Sequence, residues 1–161
     1  MARCPANVVD TTLPDLVVLC RNMRPDEWEQ VQAFFPDMSP DQVAAMLMLK
    51  SGVKFTLLDA SGAPVAAGGY ESVGDGIMRS WMVGTTAGWV THWRSMTKAT
   101  NWLIASLLES GVRRLETNVL ASRTDARNWY TRSLRMHCEG VLRKHTKAGQ
   151  DLALYSRLAG D

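Results

Sequence analysis

The sequence predicts an α+β fold in which a single mixed, mostly antiparallel sheet is flanked by helices. Two short helix patterns precede three β-rich runs joined by glycine-containing turns, which is typical of an antiparallel meander. A long amphipathic helix pattern then separates this meander from another strand, and such a crossover makes neighbouring strands parallel. Two β-rich runs end the chain as a hairpin, so the predicted order of elements is (β)ααβββαβαββ.

Two helix starts are marked before the meander. Residues 24–28 carry a proline followed by two acids, a pattern that suits the first turn of a helix, and we expect this helix to run to about Phe35. Residues 39–42 read Ser-Pro-Asp-Gln, a capping box that opens the second helix. A further strand is predicted near residues 8–18, before both helices.

Hydrophobic periodicity predicts the remaining elements. A period near 3.6 indicates a long helix that opens around Trp93 and ends at Gly111, since glycine is typical just after a helix C-terminus. Another helix is expected over residues 124–135. In a strand at 115–119 apolar residues alternate with polar ones, which predicts one buried face and one face toward solvent. The other strands are expected at residues 54–59, 64–70, 77–83, 138–144 and 151–158.

Length and composition favour an ordinary globular chain. Its 161 residues, 46% hydrophobic and 21% charged, suit a single domain over residues 1–161. The longest apolar run, residues 43–49, is far shorter than the roughly twenty residues that cross a bilayer, so no membrane span is expected. The first thirty residues lack the pattern of a secretory signal peptide. We therefore expect a cytoplasmic protein whose three cysteines are reduced.

Basic residues concentrate in the C-terminal third of the chain. From residue 110 onward there are 10 Lys and Arg against 5 Asp and Glu, whereas the preceding residues carry 8 against 11. On a helix, Arg123 and Arg127 share a face while Arg132 and Arg135 point elsewhere, so these residues form no continuous stripe. Nucleic acid is therefore not predicted as a direct specific partner. The three histidines lack metal-ligand spacing, and no metal site is predicted.

The order of these elements resembles the GNAT superfamily of N-acetyltransferases over nearly the whole chain. Several segments are also similar to the GNAT-like proteins of tailed bacteriophages, the group that includes internal virion proteins. These segments are RNMRPDEW at 21–28, SPD at 39–41, DASGAPVA at 59–66, WMVGT at 81–85, HWR at 92–94 and ARNWY at 126–130. The resemblance implies a GNAT-like fold of phage type and a location in a virion or in the host cytoplasm.

In the GNAT family, acetyl-CoA lies where two parallel strands separate, and its pyrophosphate contacts backbone N–H groups of the loop that opens the long helix. A glycine-rich turn at a helix N-terminus suits an anion because it offers free donors and a positive dipole end. The equivalent residues here are Gly84, Thr85, Thr86, Ala87 and Gly88. They lack the leading Gln or Arg and the G-x-G/A spacing of the family, so the resemblance implies a degenerate acyl-CoA loop.

The resemblance also implies candidate catalytic residues. The family's last helix carries a tyrosine that acts as general acid toward the departing thiolate, and Tyr130 occupies that position. Glu71 and Glu116 lie in or just after predicted strands, where a carboxylate could take a proton from an amine. The residues themselves do not choose between these two carboxylates.

Two functions follow from these observations. The preferred one is a structural or interaction component of a virion or of its assembly, which needs no cofactor and whose partners are other phage structural proteins or further copies of this chain. The degenerate loop and four tryptophans between residues 81 and 102 favour it, because tryptophan is frequent in buried protein interfaces. The alternative, favoured by Tyr130, is an N-acetyltransferase that uses acetyl-CoA to modify a small-molecule or protein amine.

Overall fold

A computed structural model of the chain describes residues 4–161. The strands are β1 (Val8–Val9), β2 (Val53–Leu58), β3 (Pro64–Gly74), β4 (Ile77–Gly84), β5 (Arg114–Leu120), β6 (His137–Leu142) and β7 (Leu152–Leu158). They form a seven-stranded sheet in the order β1-β2-β3-β4-β5-β7-β6. Its neighbouring strands are antiparallel except for β4 and β5, which run parallel. The predicted mixed, mostly antiparallel sheet is therefore confirmed.

Helices cover both faces of this sheet. They are α1 (Leu13–Arg21), α2 (Pro25–Phe34), α3 (Pro40–Leu49), α4 (Thr86–Thr91), α5 (Trp93–Glu109) and α6 (Thr124–Asn128), and α6 continues as a π-helical turn (Trp129–Ser133). The capping box that opens α3 forms as predicted, because Ser39 and Gln42 each accept a hydrogen bond from the other's backbone N–H. Gly111 follows α5 with φ at 100°, as expected for its predicted position.

The strand predicted near residues 8–18 is wrong over most of its length. Within these residues only β1 (Val8–Val9) is a strand, and α1 begins at Leu13. Thr12 and Asp15 form a reciprocal capping box, and a proline in the first turn favours the helix. Leu16 and Leu19, three residues apart, are fully buried on one face of α1.

Two of the predicted helices differ from the expected bounds or helix type. A short helix, α4, precedes the long one, and the two are separated at His92, whose φ of −112° and ψ of 11° interrupt helical geometry. The helix predicted over residues 124–135 begins at Thr124 as expected but changes to the π-helical turn and ends at Ser133. Arg135 then has φ at 54°, a left-handed conformation that no helix can continue through.

Consecutive residues of β3 and β4 bury their side chains on opposite faces of the sheet. Ala66 packs with α5 and with β5, whereas Ala67 packs with α1 and α3. The same alternation places Met82 toward α5 and Val83 toward α1 and α3. The region between β4 and β5 is thus covered by helices on both sides.

Candidate functional site

The parallel strands β4 and β5 separate partway along their length. They pair at residues 77–79 and 114–116 and no further. Beyond that point β4 stays paired with β3 as far as Gly84, and β5 stays paired with β7 as far as Leu120. A gap therefore opens in the sheet between two facing strand edges, and we call it the strand gap.

Helix α2 supplies hydrogen-bond partners for the β4 edge of the strand gap. The Gly84 N–H donates to Glu27 Oε2 at 2.8 Å, and the Gly84 carbonyl accepts the Arg24 N–H at 3.0 Å. Backbone groups along a strand alternate in direction. Met82, two residues before Gly84, therefore also directs its N–H and carbonyl into the strand gap.

The β5 edge is satisfied by a side-chain amide of the same helix. Gln30 Nε2 donates to the Asn118 carbonyl at 3.2 Å, and Gln30 Oε1 accepts the Leu120 N–H at 3.2 Å. The Gln30 amide thus stands in for the peptide group of a missing strand. Glu27 and Gln30 are three residues apart and share one face of α2, and Arg24 is the N-cap of the same helix, so α2 lies along the strand gap.

A cavity of about 390 Å³ lies at the strand gap and reaches both faces of the sheet. The larger part of its lining surface is apolar, and the lining residues come from α2, α3, β3, β4, α4, β5, α6 and the π-helical turn. Six of the apolar residues are Val31, Phe34, Met46, Met82, Trp89 and Trp129. Glu27, Glu71 and Tyr130 also line the cavity and bring ionisable groups to it.

Glu27 is a buried carboxylate that sequence reasoning did not single out. It is 5% exposed, and its Oε1 accepts the Trp89 Nε1 hydrogen at 2.7 Å. Burial raises the pKa of Glu27 to about 7, although hydrogen bonds from Gly84 and Trp89 and the charge of Arg123 favour the ionised form. The available signal was its helix face, because Val31 and Phe34 lie four and seven residues later and are apolar.

Tyr130, the predicted general acid, lies at the cavity. Its ring is 5.5 Å from that of Trp129 and 5.6 Å from that of Tyr155. Burial raises the pKa of Tyr130 despite an opposing hydrogen bond with Thr117. The phenol therefore keeps its proton at neutral pH, as a proton donor must.

The two predicted candidates for a general base lie in different surroundings. Glu71 lines the cavity, and its Oε1 accepts a hydrogen bond from Lys50 Nζ at 2.6 Å. Glu116 is instead held by Arg79 Nη2 at 2.6 Å and by Arg114 Nε at 3.0 Å. Burial disfavours its charge, but these hydrogen bonds prevail and lower the pKa of Glu116, which makes it a weak proton acceptor.

The side chain of Glu116 was expected to face solvent, and this expectation is wrong. Glu116 is 8% exposed. Its carboxylate is enclosed by the guanidinium groups of Arg79 and Arg114, which satisfy it in place of water.

Of the predicted loop residues Gly84, Thr85, Thr86, Ala87 and Gly88, the first ends β4 and the last three form the first turn of α4, so only Thr85 lies between the two elements. The Thr85 N–H donates to the Val65 carbonyl at 3.1 Å, and Thr85 Oγ1 accepts the Gly88 N–H at 2.9 Å. A Cβ on Gly88 would lie 2.3 Å from the Val65 carbonyl oxygen, so the approach to β3 requires glycine there. Thr86 and Ala87 are exposed. The N–H groups of Thr85 and Gly88 thus form hydrogen bonds within the chain, and Gly88 packs directly against β3.

Two tryptophans close the space beside the strand gap on the α5 side. The Trp89 ring meets the Trp129 ring edge-on, with 5.3 Å between centroids. Trp129 Nε1 donates to Thr97 Oγ1 on α5 at 2.8 Å. The ring contact joins α4 to the π-helical turn, and the Trp129 hydrogen bond joins that turn to α5.

Residues 4–161 contain neither a cluster of metal-ligating side chains nor a helix that could span a membrane. In this part of the chain no three His, Cys, Asp or Glu side chains come together in a way that could hold a metal ion. None of the helices described above has the length and apolar character needed to span a bilayer.

Solved structures share this architecture, although no family model and no curated protein matches the sequence. An N-acetyltransferase from Staphylococcus aureus has a TM-score of 0.73 at 16% identity, covering 94% of this chain and 97% of that one. A ribosomal-protein-S5-alanine acetyltransferase from Vibrio fischeri has a TM-score of 0.72 at 15% identity, covering 96% and 93%. A probable GNAT-family acetyltransferase from Chromobacterium violaceum has a TM-score of 0.72 at 22% identity, covering 97% and 90%. The seven-stranded sheet with its parallel β4–β5 pair therefore has the GNAT fold.

Proposed function

We propose that this chain is an acyl-CoA-dependent N-acyltransferase that modifies an amine. The observation that carries the proposal is the strand gap, which opens on a cavity of about 390 Å³ lined by Glu27 and Tyr130. A carboxyl group with a pKa of about 7 and a protonated phenol are the pair that amine acylation needs. The acetyltransferase names of the structural neighbours support the same chemistry.

Acetyl-CoA supplies an activated acyl thioester that an amine can attack. The residues at the strand gap fit the acyl end of this molecule, because the Met82 N–H faces the gap and the lining is largely apolar. The space between the gap and the loop does not fit the rest of it in the arrangement described. There Glu27 holds the Gly84 N–H, and Trp89 meets Trp129.

Each proposed role follows from the chemistry of the residue. The Met82 N–H is placed to donate to a carbonyl oxygen and to stabilise negative charge that develops on it. Glu27 is the preferred proton acceptor, since its pKa lies near neutral pH and it lines the cavity. Tyr130 is the proton donor. Glu71 stays a second candidate base because it lines the same cavity.

A second function has a specific observation in its favour. The loop donates its Gly84, Thr85 and Gly88 N–H groups within the chain, and the Trp89–Trp129 contact fills the adjoining space. Both features suit a non-catalytic GNAT-fold protein that acts by binding partners. Its placement in a virion or in phage assembly rests on the sequence resemblance alone and stays a prediction.

Acetyl transfer measured as release of free thiol from acetyl-CoA tests the proposed enzyme. We expect amine-dependent release across a panel of small amines and peptides. Tyr130→Phe should slow it by roughly 10²-fold or more, because the proton donor is lost. Tyr70→Phe removes a hydroxyl that is buried outside this cavity and should change the rate little. Release that is equal with and without amine would contradict the proposal.

A further inference from the structure

We infer that α4 is a lid, held closed by Glu27 and Trp129, over the passage that leads from the strand gap to the end of β4 at Gly84. The inference rests on the proposed function, since the passage matters for a ligand that must reach both places. It goes beyond that function because it states how access is controlled.

Trp89 is the part of α4 that closes the passage. Its indole N–H donates to Glu27 Oε1 at 2.7 Å, and its ring meets Trp129 edge-on at 5.3 Å. The indole lies directly over Gly84, where an added Cβ would come within 2.8 Å of Trp89 Nε1. Gly84 thus leaves room for the lid to sit on the end of β4.

The second carboxylate oxygen of Glu27 binds a backbone N–H group beneath the lid. It accepts the Gly84 N–H at 2.8 Å, while the Arg24 N–H donates to the Gly84 carbonyl at 3.0 Å. Met23 forms an antiparallel bridge with Thr85 next to this pair. The start of α2 therefore pairs with the end of β4 as a short strand would, and a ligand that needs the Gly84 N–H must displace Glu27.

The connections of α4 allow it to move apart from α5. The helix has six residues and ends at His92, where the backbone is not helical, so α4 and α5 are separate helices that meet at this residue. Val90 on the outer face is 73% exposed. Movement about Thr85 and His92 would lift Trp89 without disturbing α5.

Hydrogen exchange of residues 85–92, with and without acetyl-CoA, tests the lid. Trp89→Phe keeps an aromatic ring against Trp129 but removes the N–H that Glu27 holds. We expect this variant to exchange about tenfold faster in that segment and to bind acetyl-CoA about tenfold more tightly, the effect of losing one hydrogen bond to a charged group. Trp93→Phe, on α5 and 44% exposed, is the matched control and should change neither quantity.

The possible results separate the lid from the proposed function. Unchanged exchange in Trp89→Phe, or faster exchange without tighter binding where the wild type does bind, overturns the lid. Faster exchange with no acetyl-CoA binding by either protein supports the lid and contradicts the acyltransferase. Glu27→Gln keeps the shape of the side chain but leaves one acceptor oxygen for the two N–H donors of Gly84 and Trp89, and it should reproduce the faster exchange if Trp89→Phe does not fold.

Discussion

Glu27 holds its carboxylate between two N–H donors at a place that water scarcely reaches. Gly84 and Trp89 satisfy its two oxygens, and Arg123 Nη2 lies 3.9 Å from Oε1. These partners favour the ionised form, but burial opposes it more strongly and leaves the pKa near 7. One residue thereby links the helix, the strand and the lid at a pH where its charge can change.

The raised pKa of Glu27 predicts how stability depends on pH. Between its usual value of 4.5 and about 7 the folded chain binds the proton more tightly than the unfolded chain does. The stabilisation is therefore complete below pH 4.5 and is lost as the pH rises through 7. Lowering the pH from 8 to 5 should make this residue's contribution more favourable by on the order of 1–3 kcal/mol.

Urea unfolding at several pH values between 5 and 8 measures this effect. Glu27→Gln should remove that part of the pH dependence, whereas Glu29→Gln, an exposed change on the same helix, should leave it unchanged. Asp26 and Arg123 also face Glu27, and both stay in place in these two variants. Identical pH profiles for wild type and Glu27→Gln would show that Glu27 titrates normally.

At the scale of single residues the sequence led to some site members and not others. Tyr130 was predicted because its helix resembles a known pattern, and it lines the cavity. Glu27 was interpreted as an acid at a helix start, a role that its position in α2 also fits. The apolar residues Val31 and Phe34 on the same helix face were the local signal for its burial. Its hydrogen-bond partners on β4 and α4 are about sixty residues away in sequence, and no local pattern identifies them.

At the scale of elements, α2 completes a sheet that would otherwise have open edges. Gln30 pairs with Asn118 and Leu120 on β5, and its Oε1 also accepts Arg123 Nη1 at 2.8 Å. A side-chain amide can replace a peptide group here because it carries the same donor and acceptor. The helix therefore contributes hydrogen bonds to the sheet as well as apolar packing.

Gln30→Ala tests this contribution. The substitution leaves the Asn118 carbonyl and the Leu120 N–H without their partner, and we expect the free energy of unfolding to fall by roughly 1–3 kcal/mol. Gln32→Ala is the control, since Gln32 bonds the carbonyls of Phe35 and Met38 at the exposed end of the same helix. If urea unfolding showed equal losses in the free energy of unfolding for the two variants, the bonds from Gln30 to β5 would make no special contribution to stability.

Elements were predictable where their signals are local. The capping box at Ser39 and the three strands of the meander appear as expected because short-range patterns specify them. Helix α1 was missed, although Thr12 and Asp15 form a capping box, because the acid at the third position is Asp rather than Glu or Gln. The break at His92 arises where α4 turns down onto β3 and the strand gap, which is a tertiary effect.

At the scale of the whole molecule, the fold survives large differences in sequence. Chains that share only 15–22% identity with this one superpose with TM-scores near 0.72. The order of elements and the burial pattern determine the sheet. The succession of strands along the chain could be predicted, whereas α1, α4 and the burial of Glu116 could not. Function depends on a few side chains at the strand gap, so a shared fold does not transfer it. The expected assembly partners and the single-domain organisation stay predictions.

Calorimetric titration with acetyl-CoA tests whether the strand gap is an acyl-CoA site. Desulfo-CoA, which lacks the thioester, and ATP, which shares only the nucleotide, are the controls. If the strand gap is an acyl-CoA site, the wild type should give saturable heat with a dissociation constant below about 100 μM, or roughly 5.5 kcal/mol. ATP should not reproduce this binding. If neither the wild type nor Trp89→Phe gave heat at millimolar acetyl-CoA, the strand gap would not be an acyl-CoA site.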